Sequence, residues 1–178
     1  MFDDRIEFLQ TSSLLETELT EPDNALRVIR RILRAGAWTD PIWVERRSQV
    51  VMDGHHRLAA ARALGIQRVP CIRWDYGEIL VTSRRPGVPV SPDEIVSRGC
   101  GRAPYPAKTT RHQLRDGLRA PEMSPVPLDE LRAGTFERHL DVVWGLGGRT
   151  CELDSPDISG LAIRERRMFL ENHLLSGR

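Results

Sequence analysis

The sequence predicts a small α+β domain, and three observations carry that prediction. Apolar runs of strand length recur between residues 6 and 82. Two stretches of helix-forming sequence lie among them, one opening at Pro22 and one at His55. Two further runs, Pro41–Glu45 and Gln49–Met52, are separated only by Arg46, Arg47 and Ser48, which is hairpin spacing.

The elements follow in chain order. Phe8 and Leu9 centre a short strand near 6–10, and a turn or short strand follows near 14–17. Glu21-Pro22-Asp23-Asn24 opens a helix, with proline in the first turn where its missing N–H costs nothing. Leu26, Ile29, Ile32 and Leu33 recur at helical spacing until Gly36 stops the run. The hairpin comes next, then a helix over 55–64 that ends at Gly65. Val69–Trp74 and Glu78–Thr82 read as strands, and Arg85–Pro89 as a loop. Ser91-Pro92-Asp93-Glu94 caps a short helix, and Gly99–Pro106 is irregular. Arg119–Pro127 is proline-rich and reads as a linker, a short helix follows at 128–132, and Ala162–Leu175 reads as a closing helix. The expected division is a domain over 1–114 and a linker with a small, mostly helical extension over 115–178.

Composition narrows the function classes. At 178 residues the chain can bury one good core. Its net charge of +1 supplies no bulk attraction to nucleic acid, which is not expected as a partner. No apolar run approaches the roughly 20 residues of a membrane span, and the acidic Met1-Phe2-Asp3-Asp4 is unlike a signal peptide. Cys71, Cys100 and Cys151 are widely spaced and form no CxxC pair. Reduced thiols and a cytoplasmic location are the expectation.

The densest chemistry lies in Asp53-Gly54-His55-His56-Arg57, between an apolar run and a helix start. A strand–turn–helix junction aims free backbone N–H groups and the positive end of the helix dipole at one spot, where a phosphate can sit. Gly54 permits the turn and a close approach of the ligand. His55, His56 and Arg57 add donors aimed at the same spot, with Arg57 reaching back over the phosphates. Asp53 is a carboxylate able to hold Mg²⁺ against phosphate oxygens. A second segment stands out because Lys108 is the lone lysine among 26 basic residues. An ammonium is a compact point charge that guanidinium does not replace in tight quarters. In extended backbone Lys108, Thr110 and His112 would share one face, with Thr109 and Arg111 on the other.

Gly54-x-x-Arg57-x-x-Ala60 after a strand resembles the ParB/sulfiredoxin-like superfamily, where this turn binds nucleotide phosphates. The fuller Asp53-Gly54-His55-His56-Arg57 resembles the free serine kinases, which convert L-serine to O-phospho-L-serine. Leu14-Leu15-Glu16-Thr17-Glu18 is similar to that family's Leu-Ile-x-His-Glu, and Lys108-Thr109-Thr110-Arg111-His112 matches its Lys-Thr-Thr-Arg-His. The resemblance covers roughly residues 6–130. It implies a small mixed sheet with flanking helices, here with a short C-terminal extension.

By the same resemblance, Glu18 is the catalytic base, with Asp53 and His55 beside it in catalysis. Asp53, Gly54, His55, His56, Arg57, Thr109 and Arg111 are the expected nucleotide and phosphate contacts. Lys108, Thr110 and His112 would hold the amino acid, and Asp53 would hold Mg²⁺. ATP or ADP is the expected phosphoryl donor. Two positions depart from the family pattern: Thr17 stands where the family has histidine, and 81–85 lacks the family's tryptophan. The competing expectation is a ParB-like, CTPase-type nucleotide-binding module with a DNA-associated or regulatory role. Sulfiredoxin chemistry needs a cysteine in the turn, where this chain has His55.

Overall fold

A computed structural model describes residues 5–133 of the chain. Its centre is a four-stranded mixed sheet of β1 (Ile6–Gln10), β3 (Ile42–Glu45), β4 (Val51–Asp53) and β5 (Arg68–Trp74), in the order β1-β5-β3-β4. β3 and β5 run parallel in the middle; β1 pairs antiparallel with β5, and β4 antiparallel with β3. The expected hairpin is therefore present, with an irregularity between Trp43 and Val44.

Helices α1 (Pro22–Ala35) and α2 (His55–Ala63) cover one face of the sheet. α1 is amphipathic: Ile29 and Ile32 are buried, and Gly36 ends it in the left-handed conformation at φ 62°. These isoleucines meet Ile42, Val44, Val51, Val69 and Cys71 from the sheet and Leu58 and Ala61 from α2. The other face carries Met52, Ile72 and Trp74 against Ile79, with Val81 and Leu114 packed beside them. Those last residues belong to the antiparallel pair β6 (Ile79–Ser83) and β7 (Thr110–Leu114). Alternation in β3, β4 and β5 thus feeds two cores, as a sheet covered on both faces requires.

α3 (Pro92–Cys100) starts where its cap residues predict, with the Ser91 hydroxyl accepting from the Glu94 amide. Two elements escape sequence pattern. β2 (Ala37–Trp38) and β8 (Val126–Pro127) are two residues each and pair antiparallel. Trp38 and Val126 are buried there, and Leu128 and Leu131 of α4 (Leu128–Ala133) join the same core. The proline-rich stretch before β8 therefore ends in core residues. The expected closing helix at 162–175 lies outside the described residues. Among the described residues no helix is long and apolar enough to cross a membrane.

Candidate functional site

The turn at residues 53–55 links β4 to α2, as its sequence predicts. Gly54 has φ +105°, a backbone region that side-chain-bearing residues rarely adopt. A Cβ there would lie 3.1 Å from Arg57 Nε and 3.2 Å from Ile42 Cγ1, so a side chain at this position would be crowded as well as strained. No side chain caps α2. Its first-turn amides have no intrahelical acceptor.

Arg57 lies beneath this turn. Its Nη1 donates to the Pro41 carbonyl at 2.6 Å, and its Nη2 pairs with the Asp53 carboxylate. The sequence reading sends this guanidinium over the phosphates; in the structure it ties the turn to the start of β3. Asp53 remains largely exposed at the end of its strand.

His55 is buried, and the Thr17 amide donates to its Nε2 at 3.2 Å. That bond assigns the ring proton to Nδ1. The Thr17 hydroxyl lies 3.0 Å from the same nitrogen and donates to the Val51 carbonyl at 2.8 Å. Burial above all lowers the pKa of His55 to about 4, so the ring is neutral at pH 7. His55 therefore anchors the strand-like segment that leads into Glu18. Arg62 of α2 anchors its beginning, donating to the carbonyls of Thr11 and Leu14 at 3.0 Å each and pairing with Glu16 at 3.0 Å.

Glu18 is 7% exposed. It forms an isolated parallel bridge with Tyr105, and that bridge brings residues 106–110 alongside. The Lys108 amide donates to Glu18 Oε2 at 2.9 Å. Both the amide and the hydroxyl of Thr110 donate to Oε1, the hydroxyl at 2.6 Å. Two motifs ninety residues apart thus meet at one carboxylate.

The second segment is only partly the extended strip its alternation predicts. In β7, Thr110 is buried, Arg111 exposed and His112 half-buried, so the period of two holds there. It breaks at Lys108, whose φ is +57°. Lys108 is exposed and points its ammonium at Glu21, 2.9 Å away. Thr109 is fully buried and donates to the Pro106 carbonyl at 2.7 Å, facing the core. Arg111 stands opposite Thr82 on the exposed face of the β6–β7 pair.

Electrostatics link these groups into one site. Burial first, with a further contribution from the neighbouring His55 ring, lowers the pKa of His112 to about 4. His112 Nε2 lies 3.5 Å from the Tyr76 hydroxyl. Burial also lowers His56, against the opposing pull of Glu21, whose amide donates to His56 Nε2 at 3.3 Å. The hydrogen bond from Lys108 lowers Glu21 in turn.

Glu18, Asp53, Gly54, His55, His56, Lys108, Thr110 and His112 therefore converge; the Arg111 side chain stays outside. Sequence reading missed Tyr76, Arg62 and Glu21 as parts of this region. Only Glu21 left a signal, because a lone lysine calls for a counter-charge. Among the described residues no three His, Cys, Asp or Glu side chains cluster as a metal site.

No family model matches the chain. A 65-residue stretch is 37% identical to a ParB-like protein of Sulfolobus acidocaldarius, covering 36% of this chain and 33% of that protein. A 58-residue stretch is 40% identical to an ATP-dependent L-serine kinase of Desulfurococcus mucosus, covering 29% of this chain and 23% of that enzyme. The chain thus matches a third or less of each curated relative's length. Free serine kinase in complex with AMP superposes with a TM-score of 0.63 at 14% identity, over 71% of this chain and 93% of that one. A variant of that kinase in complex with ADP gives the same TM-score and identity, over 71% and 94%. SbnI from Staphylococcus aureus, truncated at its C-terminus, gives 0.62 at 15% identity, over 96% and 98%. The chain has the mixed α+β fold of these proteins.

Proposed function

We propose that this protein is a kinase that transfers a phosphoryl group from ATP or ADP to the hydroxyl of free L-serine, giving O-phospho-L-serine. One observation carries the reading: the buried Glu18 carboxylate is held by the amides of Lys108 and Thr110 in the same site as the Gly54 turn. A base, an amino-acid contact segment and a phosphate-binding helix start are what such a transfer needs. The fold shared with nucleotide complexes of free serine kinase supports it.

In this mechanism the nucleotide phosphates lie on the first-turn amides of α2 over Gly54, with His56 beside them. Serine sits against Lys108, Thr110 and His112, and its hydroxyl faces Glu18. The hydroxyl proton passes to Glu18 as the new O–P bond forms and the bridging P–O bond of the donor breaks. The nucleotide leaves with one phosphate fewer. A positioned base contributes about 10²–10⁴ in rate; positioning and charge stabilisation carry the rest. His55, with its proton on Nδ1, is a neutral donor close to the turn. Thr109 and Arg57 support the two loops from behind.

Asp53 is the carboxylate that would hold Mg²⁺. An exposed hard-oxygen ligand beside a phosphate site suits an ion that binds through one or two carboxylates plus phosphate oxygens. Bound there, Mg²⁺ would neutralise phosphate charge. A cytoplasmic setting completes the proposal.

Phosphorus NMR of the protein with Mg²⁺, L-serine and either ATP or ADP tests it. O-phosphoserine from one donor is expected; none from either overturns the reading. The one other role is a ParB-like, CTPase-type nucleotide-binding module, DNA-associated or regulatory and without transfer; the likeness to a ParB-like protein supports it. Tight nucleotide binding with no phosphoserine formed would establish that role instead.

A further inference from the structure

Three charged groups meet at Lys108. Its amide touches Glu18, and its ammonium lies 2.9 Å from a carboxylate oxygen of Glu21. The Asn24 side-chain amide donates to that same oxygen. The Glu21 backbone amide donates to His56 Nε2, so residue 21 is fixed to the start of α2. The Lys108 and Glu21 side chains are 54% and 43% exposed, open enough to exchange partners with a ligand. Beside them opens a cleft of about 370 Å³ lined by Asn24, Arg27, Val28, Arg31, His56 and Lys108.

An ammonium and a carboxylate side by side are complementary to a zwitterion. We propose that Glu21 receives the α-ammonium of the substrate while Lys108 receives its carboxylate, so that the pair selects a free amino acid. The inference rests on the serine-kinase reading above and names the feature of the substrate that is read. A free amino acid carries both charges on one carbon, next to the hydroxyl that must reach Glu18. A hydroxy acid without the amino group would set its carboxylate beside Glu21 with nothing to neutralise it. A serine within a peptide carries neither charge at that carbon. Both would be rejected by unpaired charge rather than by shape.

The test compares L-serine with L-glycerate, which keeps the hydroxyl and carboxylate but lacks the ammonium. Wild type and Glu21→Gln are assayed with both substrates and the same nucleotide. Glutamine preserves size and can still accept from Asn24. The Glu21 side chain makes no cap bond to α1, so the variant should fold. Loss of one charge-assisted contact predicts a rise in the KM for L-serine of about 10- to 100-fold. The preference for serine over glycerate should fall by a similar factor, with the KM for nucleotide within about twofold of wild type. Equal losses on serine and glycerate would mean that Glu21 only orients Lys108, and the proposal would be overturned. An unchanged preference would overturn it too. Calorimetric binding of the two substrates, without turnover, reads the same discrimination. A protein that selects serine over glycerate but makes no phosphoserine would retire the kinase reading and leave the zwitterion receptor standing.

Discussion

Replacing Glu18 by glutamine separates its chemical role from its structural one. The carboxylate accepts from the Thr110 amide and hydroxyl at Oε1 and from the Lys108 amide at Oε2. A glutamine oxygen can keep the Thr110 side. Its NH₂ group then faces the Lys108 amide, so one acceptor is lost and two donors oppose each other in a buried place. The surviving bonds also lose their charge assistance. Together these changes cost about 2–4 kcal/mol, against a total stability of about 5–15 kcal/mol. The variant should fold, with a urea midpoint lower by about 1–2 M at an m-value near 2 kcal/mol/M. Turnover to phosphoserine should fall by about 10²–10⁴. Urea titration followed by tryptophan fluorescence reads the first quantity, and phosphorus NMR reads the second. Wild-type turnover in Glu18→Gln would remove Glu18 as the base. An unchanged midpoint would refute the three-donor bracket itself.

Lys108→Ala should raise the KM for serine by about tenfold or more while nucleotide affinity holds; an equal loss of both would place Lys108 on the nucleotide instead. Gly54→Ala puts a Cβ within 3.2 Å of Arg57 and Ile42 at φ +105°. It should cost about 1–3 kcal/mol and weaken ADP binding, measured by thermal melting and calorimetry. His55 and His112 are both held neutral by burial, with pKa lowered from 6.5 to about 4. The unfolded chain takes up these protons first, so stability is complete above pH 6.5 and is lost as pH falls toward 4. Urea midpoints should drop steadily through that window, and a flat profile would show that these rings are not buried as neutral groups.

Local sequence alone determined much of this protein. Helical spacing with Pro22 and Gly36 delimits α1, and two apolar runs joined by a short polar turn make the β3–β4 hairpin. The Gly54 junction is legible for the same reason: turn chemistry and side-chain period act over two to four residues. Tertiary structure alone decided which partners these elements meet. Nothing near Glu18 says that the amides of residues 108 and 110 will bind it, because the Tyr105 bridge that joins them closes a long loop. The left-handed backbone at Lys108 turns its ammonium away from the Thr110 face and toward Glu21, where strict alternation would put it beside Thr110. Burial, which no single residue encodes, makes His55 a neutral anchor for Thr17 and lets the two-residue strands at Trp38 and Val126 find each other. Contacts of that range depend on packing the whole sheet between its two covers.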